Sequence, residues 1–182
     1  STPLSHRNMI INGAMQVAQR GTSFTGQTTS AWFLDRHYLD TNIATWTISQ
    51  DTDTPDGFGN SLKFDCTTAD ASLSSGDYCF YRYKIEGQDL QHLKKGTSSA
   101  LPVTLSFHIK SNKTGTLQYR IIDTDNNRNI AQTFTIDVAD TWEKKTITFA
   151  GDTTGALDDD NLKSVEVELP LDSGSAFKTG AT

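Results

Sequence analysis

The stretch PVTLSFHIKSNKTGTLQYRIID, residues 102–123, decides the fold class because its apolar and polar side chains alternate. A period of two is typical of an extended strand with one buried and one solvated face. The side chains predicted to face the core are Val103, Leu105, Phe107 and Ile109 before the turn signal NKTG, and Leu117, Tyr119 and Ile121 after it. Strands of this kind are characteristic of antiparallel sheets.

The same alternation recurs on both sides of this stretch. It is present in SLKFDCTT (61–68), in AQTFTIDVAD (131–140), where Phe134, Ile136 and Val138 are predicted to face inward, and in SVEVEL (164–169). Turn signals rich in Gly, Asn and Asp separate these runs. We therefore predict an all-β chain that folds as an antiparallel β-sandwich of the jelly-roll type.

One segment departs from the strand pattern. In EGQDLQHLKKG (86–96), Leu90 and Leu93 have helical spacing, two lysines would lie in the last turn, and Gly96 follows them. Basic residues and a following glycine are typical of a helix C-terminus. The sequence therefore predicts one short helix near residues 87–95.

The charge and hydropathy of the chain exclude two classes of partner. The net charge is -6, whereas proteins that bind nucleic acid through its phosphates carry a basic patch. No stretch approaches the roughly 18 consecutive apolar residues of a membrane-spanning helix. We expect neither nucleic acid nor a membrane as a partner.

The search for catalytic motifs gives no candidate catalytic residue. The four histidines stand alone at positions 6, 37, 92 and 108, and the sequence has no G-x-S-x-G motif. No acidic residue lies in an apolar context that would clearly raise its pKa. We predict that the chain is not an enzyme.

The opening segment is unusually apolar for its position. RNMIINGAMQVAQRG (7–21) is predicted to form a first strand that bends at Asn12-Gly13. We expect residues 1–7 to be an anchor segment and residues 8–182 one sandwich domain that lacks its closing strand. An open edge is an aggregation site unless another chain covers it. We therefore predict a homo-oligomer, with an assembly surface at Met9, Ile11, Met15 and Val17.

Aromatic side chains supply the candidate ligand site, since a flat ring can stack on the apolar face of a sugar. In DYCFYRYKI (77–85) aromatic residues occupy both faces of one predicted strand. One of these faces could meet a sugar, a neighbouring subunit or the protein's own core. The predicted glycan-binding residues are Trp32, Tyr38, Trp46, Tyr78 and Phe80.

Two smaller features leave alternatives open. LDDDN (157–161) could bind a structural calcium ion through Asp158, Asp159 and Asp160, or form a solvated acidic turn. Cys66 and Cys79 could be two small buried side chains, or a single disulfide if their strands are neighbours. No other cofactor is expected.

An ordered series of sequence blocks resembles a known family. NMIINGAMQVAQRGTSF, AWFLDRHYL, TWEKKTITFAGDTTG and LPLDSGSAFKTGAT, together with the long block from Asp77 to Asp123, are similar to a module of phage and other viral structural proteins, often called tail-fibre or virion proteins. That module in turn resembles the jelly-roll carbohydrate-binding modules of glycoside hydrolases. In the viral family an aromatic residue tends to follow the Asp-Arg pair, and His37 stands there in this chain.

The resemblance implies a setting and a set of partners. The first hypothesis is a non-catalytic structural or appendage protein of the virion, located in a tail fibre or a capsid-associated fibre and involved in host attachment beside other virion proteins. The alternative is a carbohydrate-binding module that recognises a host surface glycan. A polysaccharide-degrading enzyme is the lesser alternative.

Overall fold

The computed structural model describes residues 8–177, which form eleven β-strands and three short 3₁₀ helices. The helices are Gly87–Asp89, Gln91–Leu93 and Ser175–Phe177. The strands are β1 (Ser23–Gln27), β2 (Ala31–Trp32), β3 (His37–Thr41), β4 (Thr45–Asp51), β5 (Ser61–Thr68), β6 (Tyr78–Glu86), β7 (Val103–Ile109), β8 (Gly115–Asp123), β9 (Arg128–Ile136), β10 (Glu143–Phe149) and β11 (Lys163–Ser173).

The strands build two layers. One layer is a six-stranded sheet in the order β2-β3-β6-β11-β8-β9, and the other consists of the sheets β1-β4-β5 and β7-β10. Every strand pair is antiparallel. The predicted antiparallel β-sandwich is therefore confirmed.

Two apolar clusters fill the space between the layers. Under β7 and β10 the buried side chains include Tyr119, Phe134, Val165 and Val167, and the predicted inward residues of β7 pack against them. Under β4 and β5 the buried set includes Phe33, Leu39, Ile48 and Cys79. Leu171 packs against both clusters, so the core is continuous along β11.

Helical turns are present at the predicted residues 87–95, but they form two short 3₁₀ helices, Gly87–Asp89 and Gln91–Leu93, where one helix was predicted. The backbone N–H groups of Gly87 and Gln88 donate to the carbonyls of Leu162 and Asp160, 3.1 and 2.9 Å away. A Cβ at position 87 would overlap the carbonyl oxygen of Asp158. Because the loop before β11 accepts these hydrogen bonds and packs closely against Gly87, the segment adopts tight turns along that loop. Leu90 is the residue of this segment that is buried in the core.

The predicted first strand within residues 7–21 is also wrong. Residues 8–22 form bends and turns, and the first strand begins at Ser23. Asn12 has a φ of 58°, and its side chain closes a loop through Val17, whose N–H and carbonyl both lie 2.9 Å from the Asn12 amide. Asparagine tolerates the left-handed conformation, so the Asn12-Gly13 signal marks a turn.

Val138 departs from its predicted burial, because β9 ends at Ile136 and Val138 is 56% exposed.

The predicted anchor segment, residues 1–7, lies outside the described residues. The missing closing strand stays a prediction. Between residues 8 and 177 no helix has the length and apolar character needed to cross a bilayer.

Candidate functional site

The outer face of the six-stranded sheet, which points away from the core, carries the candidate site. Strand pairing aligns Tyr38 of β3 with Arg82 of β6, Arg82 with Glu168 of β11, and Glu168 with Arg120 of β8. Because side chains alternate along a strand, these residues lie opposite the core positions of the same strands. Four strands that are distant in sequence therefore place charged and aromatic groups side by side.

Glu168 is the centre of an ion-pair network on this face. Its side chain is 0% exposed and accepts hydrogen bonds from Arg82 Nε at 2.8 Å and from Arg120 Nε at 2.7 Å. Arg82 also pairs with Asp40, which accepts a hydrogen bond of 2.6 Å from the Ser30 hydroxyl. Charged groups with this many partners are held in fixed positions. The network forms a rigid polar floor for the outer face.

Phe80 lies beneath these guanidinium groups. The guanidinium carbons of Arg82 and Arg120 are each 5.2 Å from the centre of the Phe80 ring, within cation–π range. Tyr78 stacks on the ring at 5.2 Å, and Phe177 meets it edge-on at 5.3 Å. Phe80 is buried. It therefore supports the floor, and no face of its ring is left for a ligand.

Trp32 is the exposed aromatic of the outer face, with 39% of its surface exposed. Its ring leans on Tyr38 with 4.9 Å between the ring centres, because the two residues are directly paired across β2 and β3. Lys84 places its ammonium 4.1 Å from the Tyr38 ring centre and 5.1 Å from that of Trp32. Packing on two sides thus fixes the indole at the sheet edge.

A pocket of about 230 Å³ opens beside Trp32. Its lining combines the indole with hydrogen-bonding and charged groups: Trp32, Arg36, Lys84, Ile85, Glu86, Asn161 and Lys163. Burial lowers the pKa of Lys84, since desolvation outweighs the attraction of the nearby Glu166 carboxylate. The pocket can offer a ligand one flat apolar wall and several donors and acceptors.

Four of the five predicted glycan-binding residues lie together on this face, and the fifth does not. Trp46 is buried in the core between the layers, and its indole N–H donates to the carbonyl of Ile43 at 3.2 Å. Trp46 shares the inward face of β4 with Ile48, and that alternation was a signal against a ligand role. The structure adds Arg36, Lys84, Glu86, Asn161 and Lys163, which come from three separate segments and have no common sequence signal.

The three aspartates of the predicted calcium site belong to the loop before β11. Asp160 accepts a hydrogen bond from the Leu162 N–H at 3.0 Å, and the Asp158 N–H donates to Asp125 at 3.0 Å. Among the residues that the structure describes, no group of three or more His, Cys, Asp or Glu side chains is placed to hold one metal ion. Calcium binding at Asp158, Asp159 and Asp160 stays a prediction.

The two cysteines have different surroundings and are both free thiols. Cys79 is buried, and burial raises its pKa to about 12. Cys66 is exposed on β5, so the prediction of a small buried side chain holds for Cys79 alone.

The residues of the predicted assembly surface differ in how far they are buried in this chain. Met9 packs against the main core cluster, and Met15 is half-buried. Ile11 and Val17 are exposed. A role of these residues in assembly stays a prediction.

Comparison with known proteins gives structural likenesses alone. No family model and no curated protein matches the chain. The enzymatically active domain of bacteriophage CBA120 tailspike protein 4 is similar, with a TM-score of 0.48 and 13% identity over 92% of this chain and 20% of that chain. A CBM4 structure is similar, with a TM-score of 0.41 and 17% identity over 89% of this chain and 88% of that one. This chain thus spans about a fifth of the tailspike chain's length.

Proposed function

We propose that the chain is a non-catalytic glycan-binding domain whose ligand stacks on Trp32 and fills the adjacent pocket. The observation that carries the proposal is an exposed indole, held by Tyr38 and Lys84, at the wall of a pocket lined with donors and acceptors. Binding sites combine apolar surface with a few placed polar groups. A sugar needs the same combination, because its ring has an apolar face and a rim of hydroxyls.

The rigidity of the site favours binding. Trp32 and Tyr38 support each other, and the ion pairs around Glu168 fix the floor before any ligand arrives. A preformed site loses little conformational entropy on binding, which improves affinity. We therefore expect the outer face to bind a sugar without rearranging its own side chains.

The carboxylates of this face support a non-catalytic role. Glycoside hydrolysis uses two carboxyl groups on either side of the scissile bond, one of them able to donate a proton. Glu168 is bonded to two guanidinium groups, and Glu166 accepts a hydrogen bond from Lys163 at 3.0 Å. Both carboxylates are buried against their cationic partners, so neither is open to a substrate.

A place in a virion appendage rests on the sequence blocks that resemble viral structural proteins. In that setting the glycan would belong to the surface of the host cell, and binding it would attach the particle. Mass spectrometry of purified particles should detect this chain. Particles without it would contradict the placement and leave glycan binding open.

The test of glycan binding uses an array of bacterial surface glycans and two matched variants. Trp32→Ala should lower the affinity for the bound glycan at least tenfold, since a central Trp contributes about 2 kcal/mol to an interface. Phe58→Ala is the control, because Phe58 is equally exposed at 40% and lies outside the pocket. Equal binding by Trp32→Ala and the unaltered chain, or no binding to any glycan, would refute the proposal.

A further inference from the structure

We propose that the pocket beside Trp32 selects an acidic sugar. Lys84 and Lys163 bind the carboxylate of the ligand, and Arg36 adds a third positive charge close to it. This inference rests on the proposed glycan-binding function and adds the chemical class of the ligand. It makes the three cationic residues the determinants of specificity, while Trp32 contributes stacking to any sugar.

The lining of the pocket is rich in positive charge. Three cationic side chains line it, and Glu86 is the one carboxylate among the lining residues. A further carboxylate close to Lys84 and Lys163, that of Glu166, is 4% exposed and lies below the surface. The whole chain carries a net charge of -6. A cationic pocket on an acidic protein is a local arrangement that favours an anionic group.

Lys84 has hydrogen-bond donors that the described part of the chain leaves unused. Among residues 8–177 its ammonium donates no hydrogen bond, and the closest carboxylate oxygen, on Glu166, is 4.0 Å away. An ammonium has three donors. Lys163 uses one donor on Glu166, and its side chain is 41% exposed. Both ammonium groups therefore have donors left for a ligand at the same pocket.

The backbone at Arg36 is strained. The turn Leu34–His37 is closed by a 2.8 Å hydrogen bond, and Arg36, at its third position, has a φ of 74°. That position of a type II turn favours glycine. The guanidinium is 45% exposed and has one weak ion pair, with Glu86 at 3.8 Å. Strain of this kind tends to be retained where the side chain serves a function.

The experiment compares each acidic oligosaccharide with its carboxyl-reduced form, which keeps the sugar ring and loses the charge. The probes are oligomers of galacturonate, of the glucuronate-containing repeat of hyaluronan, and of sialic acid. At least one acidic form should bind, and carboxyl reduction should weaken that binding at least tenfold. Lys84→Met should weaken binding of the acidic form by a similar factor and binding of the reduced form by a clearly smaller factor, because Lys84 also packs against Trp32. Lys110→Met, outside the pocket, should change neither.

The outcomes separate this inference from the function on which it rests. Equal binding of acidic and reduced forms, or binding of neutral or sulfated glycans alone, would overturn the acidic specificity while glycan binding stands. Absence of binding to every glycan would overturn both.

Arg36→Gly is the second variant: relief of backbone strain should raise the melting temperature, while affinity for the acidic probe falls at least threefold. Unchanged affinity in this stabilised variant would remove Arg36 from the site.

Discussion

His37 shows how one buried side chain can make the fold sensitive to pH. Its ring is fully buried, stacks on Tyr81 with 5.8 Å between ring centres, and lies 2.8 Å from the Tyr81 hydroxyl and 3.2 Å from the carbonyl of Asn12. His37 stands at the position where the viral family that this sequence resembles tends to have an aromatic residue. Its ring packs against Tyr81 as an aromatic ring would. The sequence identified the position but gave no sign that a polar ring would be enclosed there.

Burial should make His37 a source of acid instability. Desolvation lowers its pKa below the ordinary 6.5, and the Asn12 carbonyl and Asp35 offset this effect only in part. Below about pH 6.5 the unfolded chain therefore binds a proton that the folded chain resists, and the free energy of unfolding falls as the pH is lowered. Urea unfolding between pH 7 and pH 5 should show this slope, and His37→Gln should reduce it. His92→Gln, at an exposed position, should leave the slope unchanged, and equal slopes in all three proteins would contradict the assignment.

Strand β11 shows where strand periodicity alone fails. Its inward residues Val165, Val167 and Leu169 are buried as the alternation predicts. The alternation also predicts solvated side chains at Glu166 and Glu168, yet both are buried. Their partners Arg82 and Arg120 lie 86 and 48 residues from Glu168 along the chain, so no local pattern shows that the carboxylates are covered.

Glu168→Gln tests the contribution of this ion-pair network to stability. An amide in place of the carboxylate leaves two largely buried guanidinium groups without their shared anion, which should lower the free energy of unfolding by about 3 kcal/mol. Chemical denaturation monitored by tryptophan fluorescence measures the change. The control is Asp137→Asn, because Asp137 pairs with Lys145 in an exposed position and should contribute less than about 1 kcal/mol. A loss at Glu168 no larger than at Asp137 would show that the network is not important for folding.

Across the whole molecule, the sequence predicts the strands and the two layers of the sandwich well. It predicts poorly which loops contact one another. Alternation and turn signals are local, so the strands and the sandwich follow from them. The pocket beside Trp32 needs Lys163 next to Lys84, and that juxtaposition depends on the pairing of β11 with β6. The same limit applies to the loops at the end of the sandwich, where Asp123 and Asp152 from two segments meet Lys95 from a third.

Lys95 joins these three segments and provides the test at this scale. Its ammonium lies 2.5 Å from Asp123 and 3.2 Å from Asp152, and donates to the carbonyls of Thr154 and Gly155 at 3.0 and 2.7 Å. Lys95→Met leaves the buried Asp123 carboxylate without its cation, so we expect a loss of about 3 kcal/mol in the free energy of unfolding. Hydrogen exchange should accelerate in the β8–β9 and β10–β11 loops together.

Lys94→Met is the matched control for this prediction, because the neighbouring Lys94 side chain is exposed and its loss should cost less than about 0.5 kcal/mol. If Lys95→Met were no more destabilising than Lys94→Met, the loops would be held by their other contacts, such as the hydrogen bonds from Asn126 to the Ala156 carbonyl and from the Asp158 N–H to Asp125. Faster exchange in only one of the two loops would show that they open independently. Faster exchange in both loops is the expected result, since the Lys95 ammonium contacts Asp123 beside one loop and Asp152 in the other.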